Sequence, residues 1–262
     1  MIYICYGITK SASTFLYQLT EETFIAAGRR ITRLGPPLKE STSVENYFDF
    51  INLNLLSEIQ EHVKGQDVVL KTHGPPLREV AELIASGRIL ANSSIRDPRE
   101  IALSMIDHGE RSRRWKNTDF SEFVAVSDTL DILDIQISFF QAWAQIDGVR
   151  IFKYNDICHD SASVVRSIVS QIGTEVDIDK VLNKFRSKTT IGQFSKGKAL
   201  RYTEMSPDDQ SIFLERYAEF YKAFAFDTPN AHRIAAEQKG HALRPSGELA
   251  QRLINFRRRF RL

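Results

Sequence analysis

Two kinds of apolar spacing alternate along the chain. Dense, β-prone runs at 1–6, 68–70, 88–95 and 149–154 read as buried strands. A further, second strand is expected at 29–34, where Gly35-Pro36-Pro37 breaks it. Between these runs apolar residues recur at helical spacing. Leu16, Leu19 and Phe24 mark a helix after the first strand, and Ser43 caps one over 44–63 with Phe50, Leu53, Leu56 and Ile59 as its stripe. A helix follows Pro76 as far as Ser86, where Gly87 ends it, and another starts with Pro98 as its first residue and runs to Asp107. Helical regions are also expected at 120–146, 161–172, 177–187 and 206–224. Residues 109–118, with Arg111, Arg113, Arg114 and Lys116, and residues 189–202 are polar and read as loops. Strands alternating with helices predict a single-domain α/β fold. Its central sheet is mostly parallel with helices on both faces, and it opens on a P-loop-like strand-loop-helix.

Composition narrows this picture little. The 262 residues suit one large domain, and 42% hydrophobic with 26% charged content is that of a globular chain. The net charge of +2 is unevenly spread: residues 240–262 hold six arginines against Glu248, which is +5 and leaves −3 for the rest. The expected division is a domain at 1–239 and a basic C-terminal tail at 240–262. The tail reads either as a terminal helix docked on the body with solvated arginines, or as a weak peripheral contact with an anionic surface. Cys5 and Cys158 read as buried thiols, Cys158 in a loop-like stretch, and no metal or disulfide framework is expected. No signal peptide, membrane span or nucleic-acid partner is read, and a reducing cytoplasm is the expected compartment.

The polar residues that follow each strand carry the candidate chemistry, because ligands in open α/β sheets bind beyond the strands' carboxyl ends. After the first strand comes Gly7-Ile-Thr-Lys-Ser-Ala-Ser-Thr14. A strand, a small-residue loop and a helix aim backbone N–H groups at a phosphate, with Lys10 as a point charge and Ser11, Ser13 and Thr14 as hydroxyl donors. The loop is not a Walker A sequence, since Ala12 and Ser13 stand where that pattern needs Gly and Lys. Lys71 and His73 follow 68–70, Arg96 follows 88–95, and Tyr154 and Asp156 follow the last strand.

These segments together resemble the sulfotransferases that use 3′-phosphoadenosine 5′-phosphosulfate. Thr9-Lys-Ser-Ala-Ser-Thr-Phe-Leu16 is similar to that family's 5′-phosphosulfate loop, Pro-Lys-Ser-Gly-Thr-Thr-Trp-Leu. Lys71-Thr-His73 with Pro75 and Pro76 resembles its Lys-Thr-His-x-Pro segment. Arg96 and Ser104, eight residues apart, resemble its 3′-phosphate pair. Tyr154-Asn-Asp156 resembles a later Tyr-Glu-Asp, and Ser195-Lys196-Gly197 a late Lys-Gly loop. The resemblance spans 1–226. Departures are Thr9 for Pro, Ala12 for Gly, Phe15 for the Trp that stacks on adenine, and Asn155 for Glu. It implies transfer of a sulfuryl group to a hydroxyl-bearing acceptor (glycan, lipid or small molecule) with His73 as general base and Lys10 and Lys71 stabilising charge. The cofactor would be held by Lys10, Ser11, Ala12, Ser13, Thr14, Phe15, Arg96, Ser104, Tyr154, Ser195, Lys196 and Gly197. Two other readings stay open: a P-loop-type phosphotransferase, and a non-catalytic nucleotide-binding module.

Overall fold

The computed structural model describes residues 1–38, 44–115, 118–186, 191 and 197–226. Four parallel strands form its sheet: β1 Ile2–Gly7, β2 Val68–Thr72, β3 Leu90–Ile95 and β4 Val149–Lys153, in the order β2-β1-β3-β4. Along the chain the helices are α1 Ser13–Ala26, α2 Leu53–Val63, α3 Arg78–Ala85, α4 Pro98–Arg114, α5 Leu130–Ala144, α6 Tyr154–His159, α7 Ser161–Ile172, α8 Ile178–Asn183, α9 Pro207–Arg216 and α10 Ala218–Phe224.

Because successive strand side chains point to opposite faces, β1 serves two cores. Ile4 and Tyr6 join Leu56 and Ile59 of α2, Ile84 of α3, Met105 of α4, Phe140 of α5 and Phe220 of α10. Tyr3 and Cys5 join Leu16 and Leu19 of α1, Val165 and Ile168 of α7 and Val181 of α8. Burial on both faces is why these strands read as nearly continuous apolar runs. Trp143 of α5 stacks on Tyr6 with ring centroids 5.2 Å apart. Its Nε1 donates to Gly74 O at 2.9 Å, which pins α5 across the ends of β1 and β2.

The strand order also locates the site. From β1 the chain steps outward to β2, then crosses back to pair β3 on the other side of β1. The direction of winding therefore reverses between β1 and β3, and the carboxyl ends of these two strands are where a sheet of this kind receives a ligand.

Several sequence-based expectations are corrected. Residues 29–34 form no strand: they touch the sheet through one bridge, Ile31 to Asp67. The Asn46 side chain takes up the next backbone groups, accepting from Leu34 N and donating to Thr32 O, so pairing stops there. Residues 44–52 are not helical. Instead Tyr47 bridges Lys71 beside β2, and Asn52 caps α2 by accepting from Leu55 N at 2.8 Å. The arginine-rich 109–118 segment is helical as far as Arg114. Gly109 permits this, because a Cβ there would lie 2.3 Å from Phe120 O, so the turn packs directly on the returning backbone. In consequence 120–129 is not part of α5, which starts at Leu130. Residues 206–224 split at Tyr217 into α9 and α10. Cys158 lies in α6, half-buried, while Cys5 is buried. Ser43, Ser195, Lys196 and the tail at 240–262 with its domain boundary lie outside the described residues.

Candidate active site

The loop leaving β1 is built to hold one shape. Gly7 sits so tightly that a Cβ would lie 2.1 Å from Ser94 Oγ on β3 and 2.6 Å from Ser13 Cβ. Ser11 turns its hydroxyl inward, to Ile8 O at 2.5 Å and to Ser94 Oγ at 2.6 Å, so it braces the loop. Lys10 and Ala12 both adopt left-handed backbone, at φ 68° and 66°. The left-handed position at Ala12 is one that glycine takes without strain, which accounts physically for the glycine in the resembled loop. Ala12 is also the N-cap of α1 and offers no side-chain acceptor, and no acid lies in the first turn. The N–H groups of that turn, beginning at Ser13 and Thr14, lie at the positive end of the helix dipole.

A second clamp comes from α5. Gln136 Oε1 accepts from Thr9 N at 2.9 Å, and its Nε2 donates to Thr9 Oγ1 at 2.9 Å. Sequence reasoning missed this residue. The available signal was a lone amide among Ile132, Leu133, Ile137 and Phe140 on the buried stripe of α5. A buried amide inside an apolar stripe needs partners, and here they lie in the phosphate loop.

The end of β2 delivers two more groups. His73 Nδ1 donates to Gly7 O at 2.6 Å, since a carbonyl only accepts. The neutral ring's Nε2 lone pair thus points at Lys71 Nζ, 3.0 Å away. Lys71 is 2% exposed and lies 5.3 Å from the Tyr47 ring centroid. Burial, with Lys10 nearby, pushes its ammonium down to about 7. Burial and then the Lys71 charge pull His73 down to about 3, against the opposing pull of the Gly7 carbonyl.

Lys10 reaches a partner that the sequence did not flag: its Nζ contacts His108 Nδ1 of α4 and lies 4.6 Å from the Phe120 ring centroid. Burial and then Arg111 lower Lys10 to about 8. Burial, Lys10 and Arg111 lower His108 to about 4, so its ring is neutral at physiological pH and accepts from Lys10.

Arg96 leaves the end of β3 toward the same loop. Its guanidinium lies over the Tyr154 ring at 3.7 Å, and its Nη1 and Nη2 donate to the carbonyls of Lys10 at 3.4 Å and Lys198 at 3.1 Å. Lys198 directly follows Gly197, which has a left-handed φ of 60°. The Lys198 carbonyl thus lies against Arg96. Lys10, Lys71, His73, Arg96 and Tyr154 converge around the carboxyl ends of β1 and β3. Ser104 lies half-buried on α4. Phe15 is buried and meets Phe185 edge-on at 5.3 Å. Asp97, beside Arg96, caps α4 and is taken up by Arg99 at 2.6 Å and by Tyr221 OH at 2.8 Å.

The buried lysine gives a pH-dependent stability. Folded, Lys71 releases its proton at about 7; unfolded, at 10.5. Between those values the unfolded chain binds more protons, so stability rises with pH across that window. Lys71→Met should therefore melt above the parent at pH 7, with the gap closing toward pH 9. A gap in melting temperature that stays constant over that range would contradict the burial assigned to Lys71.

No family model matches the chain, and no curated protein does. Solved structures do. The chain is similar to mouse sulfotransferase SULT7A1 complexed with PAP, with a TM-score of 0.55 and 12% identity over 84% of each chain. It is similar to retinol dehydratase in complex with androsterone and the inactive cofactor PAP, with a TM-score of 0.51 and 15% identity over 87% of this chain and 82% of the other. The fold of this chain is the sulfotransferase fold.

Proposed function

We propose that the chain is a sulfotransferase using 3′-phosphoadenosine 5′-phosphosulfate, with a hydroxyl-bearing acceptor. The observation that carries this reading is the meeting of Lys10, the Lys71–His73 pair and Arg96 at the strand ends of a sheet with this fold. The residues fit such a cofactor: the N–H groups at the start of α1 and Lys10 suit its 5′ end, and a buried arginine suits its 3′-phosphate. When bound, it supplies the sulfuryl group, which passes in line to the acceptor oxygen as the bond to the 5′-phosphate breaks. His73 Nε2 takes the acceptor's proton, using the lone pair that accepts from Lys71. Lys10 and Lys71 stabilise charge on the departing phosphate. Ser11 and Gln136 act by holding the loop. We assign this chemistry to a domain at 1–239, with the basic tail at 240–262 outside it.

A P-loop-type phosphotransferase would want a magnesium-binding acid beside this loop. Asp97 is the acid next to Arg96, and Arg99, Tyr221 and the α4 backbone already occupy it. Titrating the protein with adenosine 3′,5′-bisphosphate against ATP separates the two readings, the bisphosphate being the expected ligand. Sulfate transfer from labelled cofactor to pooled glycans, lipids and phenols then separates the enzyme from a binding module. Tighter binding of ATP, or binding of the bisphosphate with transfer to no acceptor, would overturn the proposal.

A further inference from the structure

The buried carboxylate of Glu100, one turn along α4 from Arg96, is the feature that the proposed chemistry leaves unused. Glu100 Oε2 accepts from Arg96 Nε at 2.8 Å, with both side chains 5% exposed. Its other oxygen, Oε1, accepts from the backbone N–H of Arg201 at 2.5 Å. Arg201 opens a short 3₁₀ turn, Arg201–Glu204, and is itself buried, pairing with Asp107 at 2.9 Å and Glu204 at 2.8 Å. One carboxylate thus joins the end of β3 to the chain that follows Gly197.

We infer that Glu100 is a positioning residue that aims Arg96 at the 3′-phosphate of the cofactor, an inference resting on the function proposed above. A guanidinium can grip an anion through its Nε/Nη edge or through its Nη1/Nη2 edge. Glu100 occupies Nε, which leaves only the Nη1/Nη2 edge for an incoming anion. The Tyr154 ring, its centroid 3.7 Å from the guanidinium carbon, restrains the remaining rotation. Among the described residues the Nη atoms hold neutral carbonyls, Lys10 O at 3.4 Å and Lys198 O at 3.1 Å. A phosphate oxygen is a stronger acceptor than either carbonyl and displaces them. The same carboxylate draws residues 198–201 against Arg96, so both walls of the 3′-phosphate site depend on it.

The test compares adenosine 3′,5′-bisphosphate with adenosine 5′-monophosphate by calorimetry on the full chain, in the parent, Glu100→Gln and Glu100→Ala. The ratio of the two affinities reports the 3′-phosphate alone. A residue that merely stabilised the fold would weaken both nucleotides together. The parent should prefer the bisphosphate, and Glu100→Ala should lose about tenfold of that preference, the effect of one charged hydrogen bond. Glu100→Gln keeps one acceptor oxygen and should fall between the two. It carries the test by itself if Glu100→Ala does not fold. An unchanged ratio in Glu100→Gln would overturn the role of Glu100 while leaving the cofactor reading intact. A parent with no preference between the nucleotides would overturn both.

Discussion

His73→Ala is expected to cut turnover by about 100-fold or more, the usual reach of a general base, with nucleotide affinity nearly unchanged. The geometry sets both halves of that expectation. Gly7 O holds Nδ1, so the ring cannot present the wrong tautomer, and Nε2 stays the basic atom. Among the described residues the ring bonds Lys71 and the Gly7 carbonyl and meets the Tyr47 ring, not Arg96 or the first-turn N–H groups of α1, so its loss leaves the nucleotide grip in place. The pH profile should carry the signature of this site. Before substrates bind, burial and Lys71 hold His73 near 3, so the acid limb of kcat/KM lies far below the ordinary histidine range. The alkaline limb belongs to the cations, with Lys71 near 7 and Lys10 near 8 losing the charge that steadies the leaving phosphate. An anion bound against Lys71 and Lys10 cancels the repulsion that lowers His73. The acid limb of kcat should therefore lie at higher pH than that of kcat/KM. Near-normal turnover by His73→Ala would remove the base assignment, and coincident acid limbs would remove the electrostatic account of it.

The parts of this site that could be read from the sequence are those fixed by short-range pattern. β1 is an apolar run ending at Gly7, and the loop that carries Lys10 follows it at once. Lys71, His73 and Arg96 likewise lie at or just beyond strand ends, and a parallel sheet gathers all its strand ends on one side. The illegible parts are the partners that reach the loop from elsewhere in the fold. Gln136 is 127 residues from Thr9, and His108 is 98 from Lys10. Glu100 is one turn from Arg96, yet its second bond spans 101 residues to Arg201. No periodicity encodes such pairs. The misread segments share a cause as well. Residues 109–114 carry glycine and four charges and so resemble a loop, yet Gly109 is what lets α4 pack on the backbone of Phe120 and Phe123. Residues 29–34 have strand-like composition, but Asn46 takes their hydrogen bonds before a ladder can form. In both, tertiary contact overrode local propensity.

Arg96→Ala should weaken adenosine 3′,5′-bisphosphate by about 100-fold, as expected for two charged hydrogen bonds through the Nη1/Nη2 edge. Adenosine 5′-monophosphate should be affected far less. The single substitution has a side effect that the structure makes explicit. Among the described residues it leaves the Glu100 carboxylate buried with the Arg201 N–H as its remaining partner, and an uncompensated buried charge costs about 3–5 kcal/mol. Arg96→Ala is therefore also expected to lower the melting temperature, and Arg96→Ala with Glu100→Gln to recover part of that loss by removing the charge. The nucleotide ratio should not recover with it. If Glu100 acts on the 3′-phosphate only through Arg96, then Glu100→Gln lowers the ratio in the parent and leaves it unchanged in the Arg96→Ala background, a non-additivity that a double-mutant cycle measures directly. Arg96→Lys sharpens the assignment. Lysine keeps the charge but cannot bond Glu100, stack flat on Tyr154 and offer two parallel donors at once, so most of the preference should be lost despite the retained cation. Equal weakening of both nucleotides in Arg96→Ala, or full preference in Arg96→Lys, would take the 3′-phosphate away from this arginine.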